Sequence, residues 1–306
     1  MTLSKYIPTL FLCLVASYSS AKTSSDTLLI KTHLTTITKT GSFRTHKNID
    51  QLNQTTEYIK SIFIKYSDSV SIQEYSANGQ TYKNVICSFG TENLKRIIVG
   101  AHYDVCDDQE GADDNASGVV GLLELARMLN GQKLSKRIDL VAYSLEEPPY
   151  FRTKFMGSYI HAQSLVNNKV PVYGMISLEM IGYFKDEKKT QSYPINALSV
   201  IYGSKGNYIT LVKKFAAGKF TRKFCRNYKS QKAIRTKKFT GPKALPGIDF
   251  SDHLNYWIFG ISALMITDTA FFRNKNYHHS TDTMETLDIK RMAKVIDGVY
   301  GTLLSL

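Results

Sequence analysis

The sequence predicts a three-layer α/β sandwich with a central mixed, mostly parallel sheet. Short apolar, β-branched runs alternate with segments of helical periodicity through most of the 306 residues. The apolar fraction of 43% is sufficient for a large core. No internal repeat, low-complexity block or linker divides the chain. We therefore expect residues 22–306 to form a single domain.

The first 21 residues have the pattern of a secretory signal peptide. Lys5 supplies the positive start, Leu10–Ala16 the short apolar centre, and Ser19–Ala21 the small residues of a cleavage site. The sequence therefore predicts a secreted or periplasmic protein. After removal of this segment, no apolar run is long enough for a transmembrane helix.

The first half of the chain predicts a hairpin and two central strands. Residues 22–45 form either a mobile leader or a short terminal helix. The further predicted elements are helix Asn48–Ile64, strands Ser69–Tyr75 and Tyr82–Phe89 joined by a turn at Asn78-Gly79, strand Arg96–Gly100, helix Val119–Leu129 and strand Arg137–Ser144.

The second half continues the alternation. Its predicted elements are helix Gly157–Leu165, strand Val170–Leu178, strand Ala197–Gly203, a helix near Tyr208–Ala217, a long basic loop to Pro246-Gly247, helix Ser251–Phe259, strand Ile261–Ile266 and helix Leu287–Leu304. The strands alternate with helices, so we expect helices on both faces of the sheet.

The net charge of +13 is concentrated in one region. From Lys188 to Ile248 there is no Asp or Glu, and Lys and Arg are frequent. A solvated basic surface is the simplest interpretation, and such a surface also attracts anionic lipids or acidic peptides. No nucleic-acid-binding module accompanies the basic residues, so we expect no nucleic-acid partner.

Three cysteines remain after the signal segment: Cys87, Cys106 and Cys225. Because three is an odd number, at least one thiol is unpaired or pairs with another chain. Their spacing does not predict a thiolate metal site. Cys106 lies in the acidic loop described next, and the sequence assigns it no role.

The loop from Gly100 to Gly118 carries the most informative polar residues. It contains His102, Asp104 and the pair Asp113-Asp114, and it lies between a predicted strand and a predicted helix. Ligands bind at such positions in open α/β sheets. Imidazole and carboxylate groups together suit zinc or a similar divalent ion.

Acidic or imidazole groups also follow other strands or lie in a late loop. They are the pair Glu146-Glu147, Glu179 and His278. Carboxylates brought together at one edge of a sheet would repel one another, and divalent cations would relieve that repulsion. The sequence therefore predicts a metal site at this edge.

The motifs resemble those of the co-catalytic zinc aminopeptidases, metallopeptidase family twenty-eight. The resemblance spans roughly Asn84 to Asp288. The matching motifs are His102-Tyr-Asp104, Gly111-Ala-Asp-Asp114-Asn-Ala-Ser-Gly118, Glu146-Glu147 with Gly157-Ser158, Leu178-Glu179-Met180, Ser251-Asp252-His253, and Tyr277-His278 with Asp282-Thr283. This resemblance implies the zinc-dependent exopeptidase fold and two Zn²⁺ ions per chain.

The resemblance also implies five metal ligands. Asp114 matches the carboxylate that bridges both ions. Glu147 and His278 match the remaining ligands of one ion, and His102 and Glu179 match those of the other. Many members have Asp at the position of Glu179.

The resemblance implies three further roles. Glu146 matches the general base that takes a proton from the metal-bridging water. Asp104 matches the hydrogen-bond partner of His102, and Tyr277 matches a position where some members use a hydroxyl to stabilise the oxyanion. His279 is the alternative to His278, but the spacing of His278 to Asp282 matches the family's pattern.

The predicted function is that of a secreted zinc aminopeptidase, which hydrolyses N-terminal residues from peptides through a metal-bridging hydroxide. Alternatives on the same fold are a glutaminyl-peptide cyclase, a carboxypeptidase, or a non-catalytic, cationic envelope-binding protein. We expect the pocket for the substrate side chain to be built by the region from Lys188 to Ile248.

Overall fold

The structure is a computed structural model that describes residues 23–306. The predicted signal peptide, residues 1–21, lies outside the described residues. None of the helices in the described part of the chain is both long enough and apolar enough to cross a membrane.

One eight-stranded mixed sheet forms the centre of the protein. Its strands are β1 (Ser69–Ala77), β2 (Gln80–Phe89), β3 (Arg96–His102), β4 (Arg137–Tyr143), β5 (Val172–Glu179), β6 (Ile209–Lys214), β7 (Thr236–Gly241) and β8 (Ala263–Thr267). They are arranged in the order β1-β2-β4-β3-β5-β8-β6-β7. Strands β4, β3, β5 and β8 are parallel. The β1–β2 hairpin pairs antiparallel with β4, and β6 pairs antiparallel with β8.

In residues 23–306, eight α-helices accompany these strands. They are α1 (Thr27–Thr38), α2 (Ile49–Tyr66), α3 (Gly118–Leu129), α4 (Gly157–Asn167), α5 (Leu198–Tyr202), α6 (Lys219–Gln231), α7 (His253–Ile258) and α8 (Ile289–Leu304). A kinked turn, Ala112–Ser117, with non-helical backbone angles at Asp114 and Asn115, precedes α3. Helices α2, α3 and α6 pack on one face of the sheet, and α4 and α7 pack on the other.

The strand sequences explain this double coverage. Along β5, Ile176 and Leu178 join the core beneath α3 and α6, whereas Met175 joins the smaller core beneath α4 and α7. Successive side chains of a strand point to opposite faces, so a strand covered on both faces is apolar throughout. The predicted three-layer α/β sandwich with a mixed sheet is therefore confirmed.

Most predicted elements are present with small shifts at their ends. The hairpin turn is at Asn78 and Gly79, whose φ angles are 50° and 77°. Such left-handed angles favour these two residue types. In residues 22–45, the described part forms the short helix α1, whose first turn is capped by the carboxylate of Asp26.

Two predictions between β5 and α6 are wrong. The predicted strand Ala197–Gly203 is the short helix α5, where Val200 and Ile201 are 89% and 75% exposed. Their β-branched side chains are therefore not buried in the sheet. The predicted helix near Tyr208–Ala217 is strand β6, whose successive residues Leu211 and Val212 enter opposite cores. Burial on both faces hides the period of two that identifies a strand.

The predicted long basic loop is also wrong, because it contains helix α6 and strand β7. Phe220, Phe224 and Tyr228 recur every four residues and are buried on one side of α6. The ring of Phe220 lies so close to Gly174 of β5 that a Cβ there would meet it at 2.0 Å. The Lys and Arg residues of α6 lie on its other side, so α6 is an amphipathic helix.

Candidate active site

The predicted metal-binding side chains lie at one edge of the sheet, where the parallel strands end. His102 is the last residue of β3 and Glu179 is the last residue of β5. Glu146 and Glu147 follow β4, which ends at Tyr143. The carboxyl ends of parallel strands meet at one edge, so the fold brings these residues together.

Asp114 lies between two histidines. Its Oδ1 is 3.4 Å from Nε2 of His102, and its Oδ2 is 3.3 Å from Nε2 of His278. His102 Nε2 is also 3.4 Å from Oε2 of Glu179. His278 Nε2 is 3.2 Å from Oε2 of Glu147. The structure thus forms two groups of donors that share Asp114. We call these five residues together with Glu146 the metal edge.

The metal edge has the donor spacing of a zinc centre. Two ligands bound tetrahedrally at about 2.0–2.1 Å from one zinc ion lie about 3.3–3.4 Å apart. The four distances above, 3.2–3.4 Å, agree with that spacing. Asp114 Oδ2, Glu147 Oε1 and His278 Nε2 are buried without a hydrogen-bond partner among the described residues. Imidazole and carboxylate donors with unused lone pairs fit zinc.

Burial and mutual charge shift the pKa values at the metal edge. Burial raises the pKa of the Glu147 carboxyl to about 8. Burial lowers the pKa of His278, but the carboxylates of Asp114 and Glu147 outweigh it and raise that pKa to about 10. Burial would raise the pKa of Asp114, yet His102 and His278 hold it below its usual range. The carboxylates therefore require positive charge beside them.

Asp104 contacts both the ring of His102 and the backbone of the Glu pair. His102 Nδ1 lies 3.2 Å from the backbone oxygen of Asp104 and 3.6 Å from its carboxylate. The carboxylate accepts hydrogen bonds from the backbone N–H groups of Glu146 and Glu147, at 3.2 and 3.0 Å. Asp104 therefore fixes the backbone of the Glu pair as well as the ring of His102.

The loop that carries His278 is tied to the loop that carries Asp114. Asp282 accepts hydrogen bonds from the backbone N–H groups of Asp113 and Asp114, at 3.0 Å each. The spacing of four between His278 and Asp282 thus places one residue at the metal edge and the other beneath it. His279 is exposed to solvent, so the structure brings His278, and not His279, to the metal edge.

Tyr277 packs beside the metal edge. Its ring stacks on that of His278, with ring centroids 3.8 Å apart. The ring centroid of Phe271 lies 5.5 Å from that of Tyr277. Burial raises the pKa of its hydroxyl above the ordinary value. Tyr277 is therefore a protonated hydrogen-bond donor at neutral pH.

Sequence reasoning missed Arg44, which holds the loop before Asp114. Its buried guanidinium donates hydrogen bonds to the backbone oxygens of Tyr103, Ile37, Glu110 and Gly111, at 2.8–3.1 Å. Gly111 has a φ of 55°, and a Cβ there would lie 2.4 Å from the backbone oxygen of Asp114. Arg44 lies far from the motifs in sequence, so no local pattern identified it.

Two further positioning residues were also missed. The Asn115 amide donates to the Leu178 oxygen at 2.8 Å, and its Oδ1 accepts from the backbone N–H of Met180 at 3.1 Å. Ser251 donates to Oε2 of Glu179 at 2.8 Å. Asn115 and Ser251 lie within the family motifs, and their presence there is the available signal. Together they orient the end of β5.

An apolar pocket opens beside Glu179. Most of its lining comes from residues 191–248, the region expected to build the substrate pocket. We call this lining the pocket wall, and it consists of Gln191, Ser192, Tyr193, Pro194, Leu198, Tyr202, Tyr208, Thr210, Val212, Phe239, Pro246, Gly247 and Ile248. Glu179, Phe250, Met265, Thr267 and residues 269–272 complete the pocket.

Three relatives resemble the chain in sequence. YfbL of Escherichia coli K12, an uncharacterized protein, is 44% identical over 87% of this chain and 84% of its own length. A probable zinc metalloprotease of Pyrenophora tritici-repentis is 31% identical over 48% of this chain and 36% of its own length. Aminopeptidase YwaD of Bacillus subtilis is 29% identical over 46% of this chain and 29% of its own length.

Solved structures share the fold. A glutaminyl cyclase from Fimbriiglobus ruber has a TM-score of 0.72 and 18% identity, over 94% of this chain and 97% of that one. The LapA aminopeptidase of Legionella pneumophila has a TM-score of 0.70 and 18% identity, over 91% of this chain and 71% of that one. The model of peptidase family M28 matches residues 84–303, which include the whole metal edge. The chain therefore belongs to peptidase family M28.

Proposed function

We propose that the protein is a zinc-dependent aminopeptidase that removes N-terminal residues from peptides. One observation carries the proposal. Asp114 presents each of its two oxygens to a different histidine, at 3.4 and 3.3 Å. That arrangement suits a carboxylate that bridges two zinc ions. We assign His102 and Glu179 to one ion and Glu147 and His278 to the other.

Glu146 is suited to act as the general base. Its carboxylate is 3.9 Å from Nε2 of His102 and accepts no hydrogen bond from the described residues. Burial raises the pKa of its carboxyl well above the usual range, although His102 opposes that rise. A base with a raised pKa takes a proton readily near neutral pH. Glu146 would accept the proton of the attacking water and deliver it to the leaving amine.

The remaining residues orient this base and the substrate. Zinc supplies Lewis acidity when bound, because it polarises the peptide carbonyl and lowers the pKa of a water molecule. Asp104 holds the backbone of Glu146 through the hydrogen bond at 3.2 Å. The protonated hydroxyl of Tyr277 can donate a hydrogen bond to the oxyanion that forms on the carbonyl.

The pocket wall favours a large apolar side chain at the substrate N-terminus. The pocket adjoins Glu179, so a residue whose carbonyl lies at the metal edge can place its side chain there. Tyr202, Phe239 and Phe250 are among the lining residues. A charged side chain would lose hydration in this pocket without gaining a partner. We propose a preference for leucine, methionine or phenylalanine over charged residues.

The export signal and the domain assignment belong to the same proposal. Residues 1–21 would direct export, which places peptides of the periplasm or the surroundings within reach of the enzyme. Residues 22–306 would form a single catalytic domain. One continuous sheet from β1 to β8 supports that assignment.

The test uses the purified full chain and a set of peptides. Each peptide is offered with a free amine, with an N-acetyl group and with an N-terminal glutamine, with zinc or with a chelator. Mass spectrometry follows the products. Stepwise loss of N-terminal residues from free-amine peptides alone, abolished by the chelator, is the expected result.

Other product patterns would contradict the proposal. Loss of ammonia from the glutamine peptide without hydrolysis would indicate a cyclase. Trimming from the carboxyl terminus would indicate a carboxypeptidase. Unchanged peptides in the presence of bound zinc would favour a binding role for the basic surface.

A further inference from the structure

Cys106 lies next to the Glu147–His278 half of the metal edge. The Cys106 sulfur, a carboxylate oxygen of Glu147 and a ring nitrogen of His278 all lie within 4.8 Å of one another. Tetrahedral ligands of one zinc ion, with sulfur at about 2.3 Å and nitrogen or oxygen at about 2.0–2.2 Å, lie about 3.6 Å apart. The Cys106 sulfur would therefore have to move towards the other two donors by up to about 1.2 Å to bind the same ion.

The other donors of this group have unused bonding capacity. Glu147 is 4% exposed, and its Oε1 has no hydrogen-bond partner among the described residues. The same holds for Nε2 of His278. The Cys106 sulfhydryl has one weak contact, to the Asp107 carboxylate at 3.7 Å. All three groups are therefore available to a ligand.

The backbone around Cys106 is held in place. The buried Gln109 side chain donates to the Cys106 oxygen at 2.7 Å. The preceding residue, Val105, donates its N–H to the Arg44 oxygen at 3.1 Å. The guanidinium of Arg44 in turn binds the backbone on both sides of this segment. The thiol is thus presented to the metal edge by a fixed loop.

We propose that Cys106 is an additional ligand of the metal ion held by Glu147 and His278. On binding, the sulfhydryl releases its proton to solvent and the sulfur forms a bond to the ion, with no oxidation. The two halves of the metal edge then differ in chemistry. The Cys106 half has sulfur, nitrogen and oxygen donors and retains thiophilic ions such as zinc and cadmium. The His102 half has only nitrogen and oxygen donors.

The proposal rests on the metal centre of the proposed function but not on peptide cleavage, so its test measures metal binding. Cobalt(II) chloride is titrated into the metal-free full chain, and the near-ultraviolet thiolate-to-cobalt absorption band is recorded. We expect the band in the natural protein and its loss in Cys106→Ser. Cys225→Ser, which removes a buried thiol of α6, should keep the band.

Zinc affinity provides the second measurement. Competition with a chromophoric chelator should show that Cys106→Ser weakens one of two zinc sites by at least about tenfold. Cys106→Asp, which restores a ligand without sulfur, should recover affinity but not the band.

Two cobalt ions bound without the band would overturn the Cys106 proposal and leave the two-metal centre intact. A band that persists in Cys106→Ser would overturn it as well. No bound metal at all would overturn both proposals.

Discussion

The metal edge and the pocket wall adjoin at Glu179 but depend on sequence in different ways. At the metal edge, His102 and Glu179 are the last residues of their strands, and the Glu146-Glu147 pair follows a third strand. The pocket wall is assembled from α5, β6, β7 and the loops between them. The first region is defined by short motifs, and the second by packing between distant segments.

The difference shows which part of this enzyme is free to change. The positions at the metal edge are fixed by strand ends and by hydrogen bonds such as those from Glu146 and Glu147 to Asp104. The pocket wall has only to supply apolar surface around a volume of suitable size. The proposed function therefore assigns the chemistry to one region and the substrate preference to the other, and four experiments test that division.

The largest expected effect is on catalysis, from Glu146→Gln. The amide cannot accept the proton of the attacking water, so kcat/KM should fall about 100- to 10,000-fold. Zinc content should remain as in the natural protein, because Glu146 is not assigned as a ligand. Peptide hydrolysis and metal analysis together make the measurement. Glu74→Gln, at an exposed position of β1, is the matched control. Full activity in Glu146→Gln would remove Glu146 from the mechanism.

The second effect concerns stability and tests whether the metal edge depends on Arg44. Arg44→Met leaves the backbone oxygens of Tyr103, Glu110 and Gly111 without their donor. We expect a loss of about 3 kcal/mol in the free energy of unfolding by urea, measured with a chelator present. Arg222→Met, at an exposed position of α6, should change it by less than about 0.5 kcal/mol. Equal stability of both variants would show that the loop does not need this anchor.

Arg44 also illustrates how much of the site the sequence predicts. His102, Asp114 and Glu179 are recognisable because their motifs are local and their strands end beside them. Arg44 donates to four backbone oxygens. Because every residue type has a backbone carbonyl, the sequence does not identify these partners. The sequence assigns Cys106 no role because the spacing of the cysteines predicts no thiolate metal site, and its spatial neighbours Glu147 and His278 lie far along the chain. Contacts between distant segments depend on the folded structure, which motif spacing does not reveal.

The same reasoning applies to the fold. The alternation of strands and helices predicts the layers because each central strand has a distinct apolar run. The region from Lys188 to Ile248 misled the prediction because apolar residues occur there both inside and outside the core. Val200 on α5 is 89% exposed and Leu211 on β6 is fully buried. Composition does not distinguish them, because Leu211 is buried where β6 pairs with β8, whereas Val200 lies on a short helix outside the sheet.

The third effect is a pH dependence that belongs to the pocket wall. His253 Nε2 lies 2.8 Å from the backbone oxygen of Ile248, a lining residue. Burial lowers the pKa of His253 to about 4, whereas the unfolded chain has its ordinary value near 6.5. The neutral ring is favoured in the folded state, so its contribution is complete above pH 6.5 and is lost as the pH falls towards 4. Between pH 7 and pH 5 the loss is about 2 kcal/mol.

A comparison of variants isolates the contribution of His253 to the pH dependence of stability. Buried carboxyls such as Asp268, whose pKa burial raises to about 6, have the opposite dependence in the same range. Urea unfolding at pH 7 and pH 5 should therefore be compared between the natural protein and His253→Gln, with a chelator in both. The variant should lose about 2 kcal/mol less on acidification. His279→Gln, at an exposed position, should follow the natural protein. If the free energy of unfolding changes equally between pH 7 and pH 5 in all three proteins, His253 does not cause this pH dependence.

The smallest expected effect tests directly whether the pocket wall sets substrate preference independently of the metal edge. Val212 is 6% exposed and lies in the pocket lining on β6. Val212→Phe should reduce the volume for the substrate side chain and lower kcat/KM for peptides beginning with leucine or phenylalanine about tenfold or more. Peptides beginning with alanine should change by less than about threefold, because their side chain does not reach this depth.

The control for Val212→Phe is Val200→Phe, at an exposed position of α5 outside the lining. It should leave the rates for both groups of peptides unchanged. An equal loss for alanine and leucine peptides in Val212→Phe would mean that the change had disturbed the metal edge through β8, the strand that pairs with β6. A selective loss would show that β6 sets substrate preference without contributing to the chemistry. The pocket wall could then be varied while the metal edge is kept.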